Sequence, residues 1–228
     1  MKKGYFLDTG ISPYEKIWEL QKKLHLKRVF NEIPDTLIFT EHFHVYTIGK
    51  RGKEENFKVS KEFLNKLGIK IFRVERGGDV TYHGPGQIVG YPIFYIKEKI
   101  AGIKKFINKI EDAIIMTLKE YDIKGEKKEN MIGVWAFDKK ICSIGVAVKN
   151  FVSFHGFALN VNTDLKYFDY IFPCGMDKEI TSMEKLTCKK INIQEVKEKL
   201  KKSFENIFEI EFENLNYDFL LKIGSITK

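Results

Sequence analysis

Arginine is scarce in this chain: of 39 basic residues, 4 are Arg and 35 are Lys. Bidentate recognition of phosphates and base edges favours Arg, so the balance argues against sequence-specific nucleic-acid binding. Cysteine is scarce too, with 3 among 228 residues, which excludes a disulfide scaffold. Cys142, Cys174 and Cys188 show no CxxC spacing, so no structural metal site is expected. Free thiols fit a reducing compartment. There are 5 Pro and no Ser/Gly/Pro-rich stretch, so no flexible linker is predicted. No apolar run follows Met1-Lys2-Lys3-Gly4-Tyr5, which is therefore not a signal peptide. The longest uncharged stretch, residues 80–96, is broken by His83-Gly84-Pro85-Gly86-Gln87 and cannot span a membrane as a helix. The expectation is one soluble, cytoplasmic domain over residues 1–228, with neither nucleic acid nor membrane as a partner.

What is present is ordinary globular material: 43% hydrophobic and 14% aromatic residues, with a net charge of +8. That charge favours acidic partners. Ile17, Leu20 and Leu24 recur at helical spacing over residues 13–30. Residues 60–67 predict a short helix. Ile103, Phe106, Ile107, Ile110, Ile114 and Leu118 mark the strongest helical stripe, over 101–121, and a Lys/Glu-rich amphipathic helix is expected over 193–210. Strands are predicted at 36–40, 45–48, 70–74 and 88–95, followed by a meander of 132–137, 140–148 and 151–161 with hairpin turns between them. Residues 162–187 form a long irregular connector of the kind that usually carries function. The pattern predicts an α/β (α+β) fold, a mixed, largely antiparallel β-sheet with helices packed on it.

Four segments carry chemistry. The block Arg76-Gly77-Gly78-Asp79-Val80-Thr81-Tyr82-His83-Gly84-Pro85-Gly86-Gln87 has four glycines, which permit close approach of a ligand to the main chain. It matches neither the P-loop nor the dinucleotide pattern, and a tight structural turn would use the same residues. In Ser153-Phe154-His155-Gly156-Phe157-Ala158-Leu159-Asn160 a histidine sits in an apolar strand, ordinarily a satisfied core position, but Gly156 and Ala158 leave room against the strand. Cys174 lies between Pro173 and Gly175 in the connector, where a substrate can reach it. Cys142, by contrast, falls on an apolar strand and Cys188 among surface residues. Lys140 opens the strand Ile141-Cys142-Ser143-Ile144-Gly145, and alternation places it on the face of Cys142 and Ile144.

Together, and in this order, these segments resemble the octanoyl-[acyl-carrier-protein]:protein octanoyltransferases of lipoate biosynthesis (lipoate biosynthesis protein B). The resemblance covers roughly residues 36–187 and includes Val45-Tyr46-Thr47-Ile48-Gly49-Lys50-Arg51-Gly52, Gly133-Val134-Trp135 and Thr181-Ser182-Met183. Lys50 stands where many relatives carry Arg. The resemblance implies the fold of biotin and lipoate protein ligase catalytic domains. It also implies transfer of an octanoyl group from acyl carrier protein to a lysine of a lipoyl domain, as in 2-oxoacid dehydrogenases and the glycine-cleavage H protein. A monomeric enzyme that uses neither a cofactor nor a metal is expected. Cys174 matches the family's nucleophile and Lys140 the lysine that activates it. Residues 76–83, Ser143-Ile144-Gly145 and Gly156-Phe157-Ala158 match the segments lining the acyl site.

The residue chemistry points the same way. A free thiol of pKa about 8.5 is mostly protonated at neutral pH, and a nearby ammonium favours the thiolate. After acylation the lysine can take the proton of the incoming amine. His83 is a candidate for positioning the acyl carbonyl, His155 for support, and the backbone N–H groups of the glycine-rich loop or Gly175 for the oxyanion. The alternatives are an ATP-dependent lipoate or octanoate ligase on the same fold, and a non-catalytic acyl- or carrier-protein-binding module.

Overall fold

The computed structural model describes residues 1–97, 100–172 and 179–216. In chain order the elements are β1 (Lys2–Ser12), α1 (Tyr14–Val29), β2 (Thr36–His42), β3 (Val45–Ile48), α2 (Lys61–Lys66), β4 (Lys70–Arg73), β5 (Val80–His83), β6 (Gln87–Ile93), α3 (Ile100–Lys119), β7 (Glu126–Lys128), β8 (Met131–Ala136), β9 (Lys139–Lys149), β10 (Val152–Asn160), α4 (Met183–Thr187), α5 (Ile193–Phe208) and β11 (Ile210–Asn214). The predicted meander is β8–β9–β10. Its two tight turns place Phe137-Asp138 and Asn150-Phe151 at positive φ, the backbone of two-residue hairpin loops that match strand twist.

Eight strands form one sheet in the order β11-β1-β2-β6-β10-β9-β8-β7, and three form a second, β4-β3-β5. In the large sheet β1 runs parallel to β2 and β11, and the remaining pairs are antiparallel. Helices cover both of its faces. On one, Ile110, Ile114 and Leu118 of α3 and Val196, Leu200 and Phe204 of α5 pack with Phe39, Ile88, Phe157 and Leu159. On the other, Ile17, Leu20 and Leu24 of α1 pack with Leu7, Ile38, Val89, Tyr91 and Ala158. The small sheet has its own core of Tyr46, Ile48, Val80 and Tyr82 against Leu64, Phe168 and Ile171. Burying apolar side chains on both faces of a central sheet is what makes its strands read as near-continuous hydrophobic runs.

The chain crosses twice between the sheets. β2 of the large sheet passes through Phe43 and His44 into β3 of the small one, and β5 returns through residues 84–86 into β6. The loop between β4 and β5 also reaches across to β9, where Gly77 N–H donates to Val146 O at 3.0 Å. Strict alternation fails at the start of β9. Trp135 pairs with Lys140 and Val134 with Cys142, so Ile141 is the extra residue of a bulge. Ile141 and Cys142 are in consequence both buried in the core, which corrects the expectation of a simple shared face.

Gly156 marks the tightest place in the large sheet. A Cβ there would lie 2.0 Å from Gly90 O and 2.8 Å from Pro92 Cδ. Gly156→Ala is expected to destabilise the fold by about 1–3 kcal/mol through overpacking, measured from urea unfolding. An unchanged midpoint would contradict this contact.

Candidate active site

The loop of residues 75–79 is fastened at the seam of the two sheets. Arg76 is buried, 8% exposed. Its Nε and Nη2 donate to Thr47 Oγ1 at 3.2 and 2.9 Å, Nη2 donates to Thr47 O at 2.8 Å, and Nη1 to Gly77 O at 3.0 Å. Charge-assisted bonds of this kind are the strong ones. Glu75 Oε2 accepts from Trp18 Nε1 at 3.1 Å and lies 3.1 Å from His155 Nε2. Those contacts tie the loop to α1 and β10. Gly145 on β9 admits it, because a Cβ there would stand 2.8 Å from Gly77 O and 3.1 Å from Arg76 Cδ. His155 holds φ at 56° within the strand, an uncommon backbone for a residue with a side chain. Its N–H donates to Gln21 Oε1 at 2.9 Å.

Beneath this loop lies a cavity of about 910 Å³, within the range of small-molecule clefts. Its lining falls into two groups. Tyr14, His83, Val89, Tyr91, His155 and Ala158 belong to the side covered by α1; Ile103, Ile107, Ile132, Trp135, Lys140, Ile144 and Val146 belong to the side of α3. Of the residues expected at an acyl site, Arg76, Gly77, Gly78, Asp79, Val80, Thr81, His83, Ser143, Ile144, Gly145, Gly156, Phe157 and Ala158 line the cavity, as do Lys140 and His155.

Tyr82 does not. It alternates to the other face of β5, shares a hydrogen bond of 2.7 Å with His44 Nδ1 and stacks on Tyr167 at 4.9 Å; its place is in the small-sheet core. Cys174 and Gly175 lie outside the described residues. Sequence reasoning missed Tyr14, Tyr91, Ile103 and Trp135. Tyr14 was accessible, since it continues the Ile17 stripe of α1 by three residues; the others face the cavity only through tertiary packing.

Lys140 stands at the bulge, its Nζ 5.3 Å from the centre of the Trp135 ring. Behind it Glu111 of α3, itself buried, accepts from Gly133 N–H at 3.0 Å. Burial raises the Glu111 carboxyl, opposed by that hydrogen bond and by the charges of Lys127 and Lys140. Burial also pushes the Cys142 thiol well up, against the pull of Lys140, so Cys142 stays a neutral core thiol and is no nucleophile. His83 is held neutral: burial, with the nearby His42, pushes it down to about 3. His42, bonded to Ser12 O and the Tyr91 hydroxyl, is lowered by burial to about 4. Glu75, by contrast, is held down to about 2, chiefly by its hydrogen bond from His155. No group of three or more metal-ligating side chains occurs among the described residues, and no described helix is long and apolar enough to cross a membrane.

The family model of the lipoyl protein ligase A/B catalytic domain matches residues 13–205. The chain belongs to this family. Within the lipoyl protein ligase A/B family it is 47% identical over 216 residues to an octanoyltransferase of Caldicellulosiruptor saccharolyticus, covering 93% of this chain and 92% of that one. The fold is shared with an ATP-bound lipoate-protein ligase A, with a TM-score of 0.80 at 18% identity over 97% of this chain and 92% of that one. It is shared more distantly with the biotin protein ligase of Aquifex aeolicus, with a TM-score of 0.52 at 13% identity over 92% and 70%. The expected α/β architecture of the ligase catalytic domain is thus the observed one.

The buried histidines set a pH dependence. His42 and His83 have folded pKa values below the ordinary 6.5, so below that pH the unfolded chain binds protons that the folded chain does not. Stability is full above about pH 6.5 and falls as pH drops toward 4 and then 3, by up to about 1.4 kcal/mol per pH unit for each histidine. Urea midpoints measured from pH 7 to pH 4 are expected to fall less steeply in His83→Gln than in the parent. Parallel curves would contradict a neutral buried His83.

Proposed function

We infer that this protein is an acyltransferase that moves an octanoyl group from a thioester donor to the ε-amino group of a lysine in a lipoyl domain. The observation that carries the proposal is a lysine at an apolar cavity, fixed by main-chain bonds to residues 179–181, which follow Cys174 in the chain. Lys140 N–H donates to Glu179 O and Thr181 N–H to Lys140 O, both at 2.9 Å. Cys174 precedes Glu179 by five positions, a tether of at most about 18 Å.

In the first half-reaction the Cys174 thiolate attacks the thioester carbonyl. The new C–S bond forms as the donor's C–S bond breaks, and the departing thiolate takes a proton from the Lys140 ammonium, which leaves that amine neutral. In the second, the acceptor amine attacks the acyl-cysteine, the C–S bond breaks to regenerate the thiolate, and the amine's proton passes to Lys140 as general base. Backbone N–H groups of the glycine-rich loop or of Gly175 steady the oxyanion.

The apolar lining suits the acyl chain, at about 0.8 kcal/mol for each buried CH₂. The donor is octanoyl-acyl carrier protein and the acceptors are the lipoyl domains of 2-oxoacid dehydrogenases and the glycine-cleavage H protein. The net charge of +8 favours association with such acidic partners. Because the acyl group arrives already activated as a thioester, the reaction as written consumes no nucleotide, and it runs in the cytoplasm on a monomeric enzyme.

Incubation with octanoyl-acyl carrier protein in the absence of ATP is expected to add one hydroxylamine-sensitive octanoyl mass, mapped to Cys174. Cys174→Ala should abolish the adduct while the chain still folds. Lys140→Ala should slow transfer by tenfold or more and move its pH profile upward. No adduct in the parent, with transfer dependent on ATP, would instead make the protein a ligase. No transfer under either condition would leave it a binding module.

A further inference from the structure

Gln87 and Asn160 are buried polar residues that the chemistry above does not use. Gln87 is 1% exposed and Asn160 4%. Gln87 Nε2 donates to Asn160 Oδ1 at 2.9 Å and to Tyr82 O at 3.3 Å, while its Oε1 lies 2.9 Å from His83 Nδ1. With the amide nitrogen committed to those two acceptors, Gln87 Oε1 is the acceptor toward His83, so Nδ1 carries the ring proton. His83 Nε2 then faces Thr47 Oγ1 at 3.5 Å, the oxygen that Arg76 already holds.

In the other direction Asn160 Nδ2 donates to Thr181 O at 3.0 Å. Thr181 N–H donates to Lys140 O, and Lys140 N–H to Glu179 O, in a parallel bridge that sets Lys140 opposite Ile180. A directed chain of hydrogen bonds thus runs from the Arg76 loop through Thr47, His83, Gln87 and Asn160 to Thr181 and the backbone of Lys140.

We propose that Asn160 is a positioning residue that couples the His83 wall of the cavity to Lys140. Its carboxamide is the one link that accepts from Gln87 and donates to Thr181, so it fixes where Lys140 stands relative to the bound acyl group. This rests on the acyl-transfer role assigned to Lys140. A displacement near 1 Å at such a site costs about 100-fold in rate. A side chain that served the core alone would lower stability and leave the chemistry's pH dependence where it was.

Octanoyl transfer from octanoyl-acyl carrier protein should be compared across pH in the parent and in Asn160→Ala. The expected result is a loss of tenfold or more in kcat, a donor KM within threefold of the parent's, and a kcat profile displaced to higher pH, the direction expected for Lys140→Ala. Asn160→Ser, which keeps a hydroxyl for one of the buried partners, is the second variant should the first not fold. A kcat within twofold of the parent's would overturn the proposal. So would a lower kcat with the pH midpoint unmoved, or failure of both variants to fold, which would make Asn160 structural. An inactive parent would instead remove the acyl-transfer assignment itself.

Discussion

The cavity depends on a buried guanidinium that fixes the loop bridging the two sheets. Arg76 lies on the loop that leaves the small sheet, bonds back to Thr47 within that sheet, and so fixes the segment whose Gly77 docks on β9 of the large sheet. A buried Arg is tolerated only when its donors are satisfied, and hydrogen bonds to a charged group contribute about 1.5–3 kcal/mol each. The geometry is permitted by what is missing opposite: Gly145 has no side chain to collide with the loop. The seam between the sheets is therefore both the strongest polar junction near the site and the place where main chain and ligand can come close.

Around this seam the charge state is settled by burial. His42 and His83 are kept neutral, and Cys142 is kept as a thiol. The cations lining the cavity are Lys50, Arg51, Arg76, already spent on the loop, and Lys140 beside Trp135. Glu75 is the ionised counterpart, pinned between Trp18 and His155 at the outer end of the same loop. The α1 side of the cavity thus carries neutral, mutually bonded aromatic and imidazole groups, while a charge able to act on a thiol or an amine sits on the α3 side. A single cavity with its polar groups divided in this way suits an acyl chain along the walls and chemistry at one end.

Much of this was legible before the structure. The stripes of α1, α3 and α5 and the β8–β10 meander follow from apolar spacing and hairpin turns, and the glycine-rich block, the Ser143–Gly145 segment and the Gly156–Ala158 segment do face one cavity. What escaped has physical reasons. β1 was invisible because its pairing with β2 breaks register between Asp8 and Ile11, which interrupts the alternation that marks a strand. β5 was absorbed into the glycine-rich loop, although Val80–His83 pairs with β3 throughout. β11 went unread and the predicted helix ran on to residue 210, because the helix ends at Glu209 in the left-handed conformation, a position where glycine is the usual signal. Tyr82 was carried to the acyl site with the whole 76–83 segment, because a segment read as loop gives no alternation to set its side chain apart from those of Thr81 and His83. The partners of Arg76, His83 and Asn160 come from segments far apart in sequence, and no local pattern announces them.

The proposed acyl transfer requires an electrostatic partnership between Lys140 and Cys174. The most direct test is the pH dependence of Cys174 alkylation by iodoacetamide, resolved by peptide mapping from Cys142 and Cys188, in the parent and in Lys140→Ala. The account predicts a reactivity midpoint for Cys174 below the ordinary thiol range in the parent and a clear rise when the lysine is removed. The same midpoint in both proteins would contradict it.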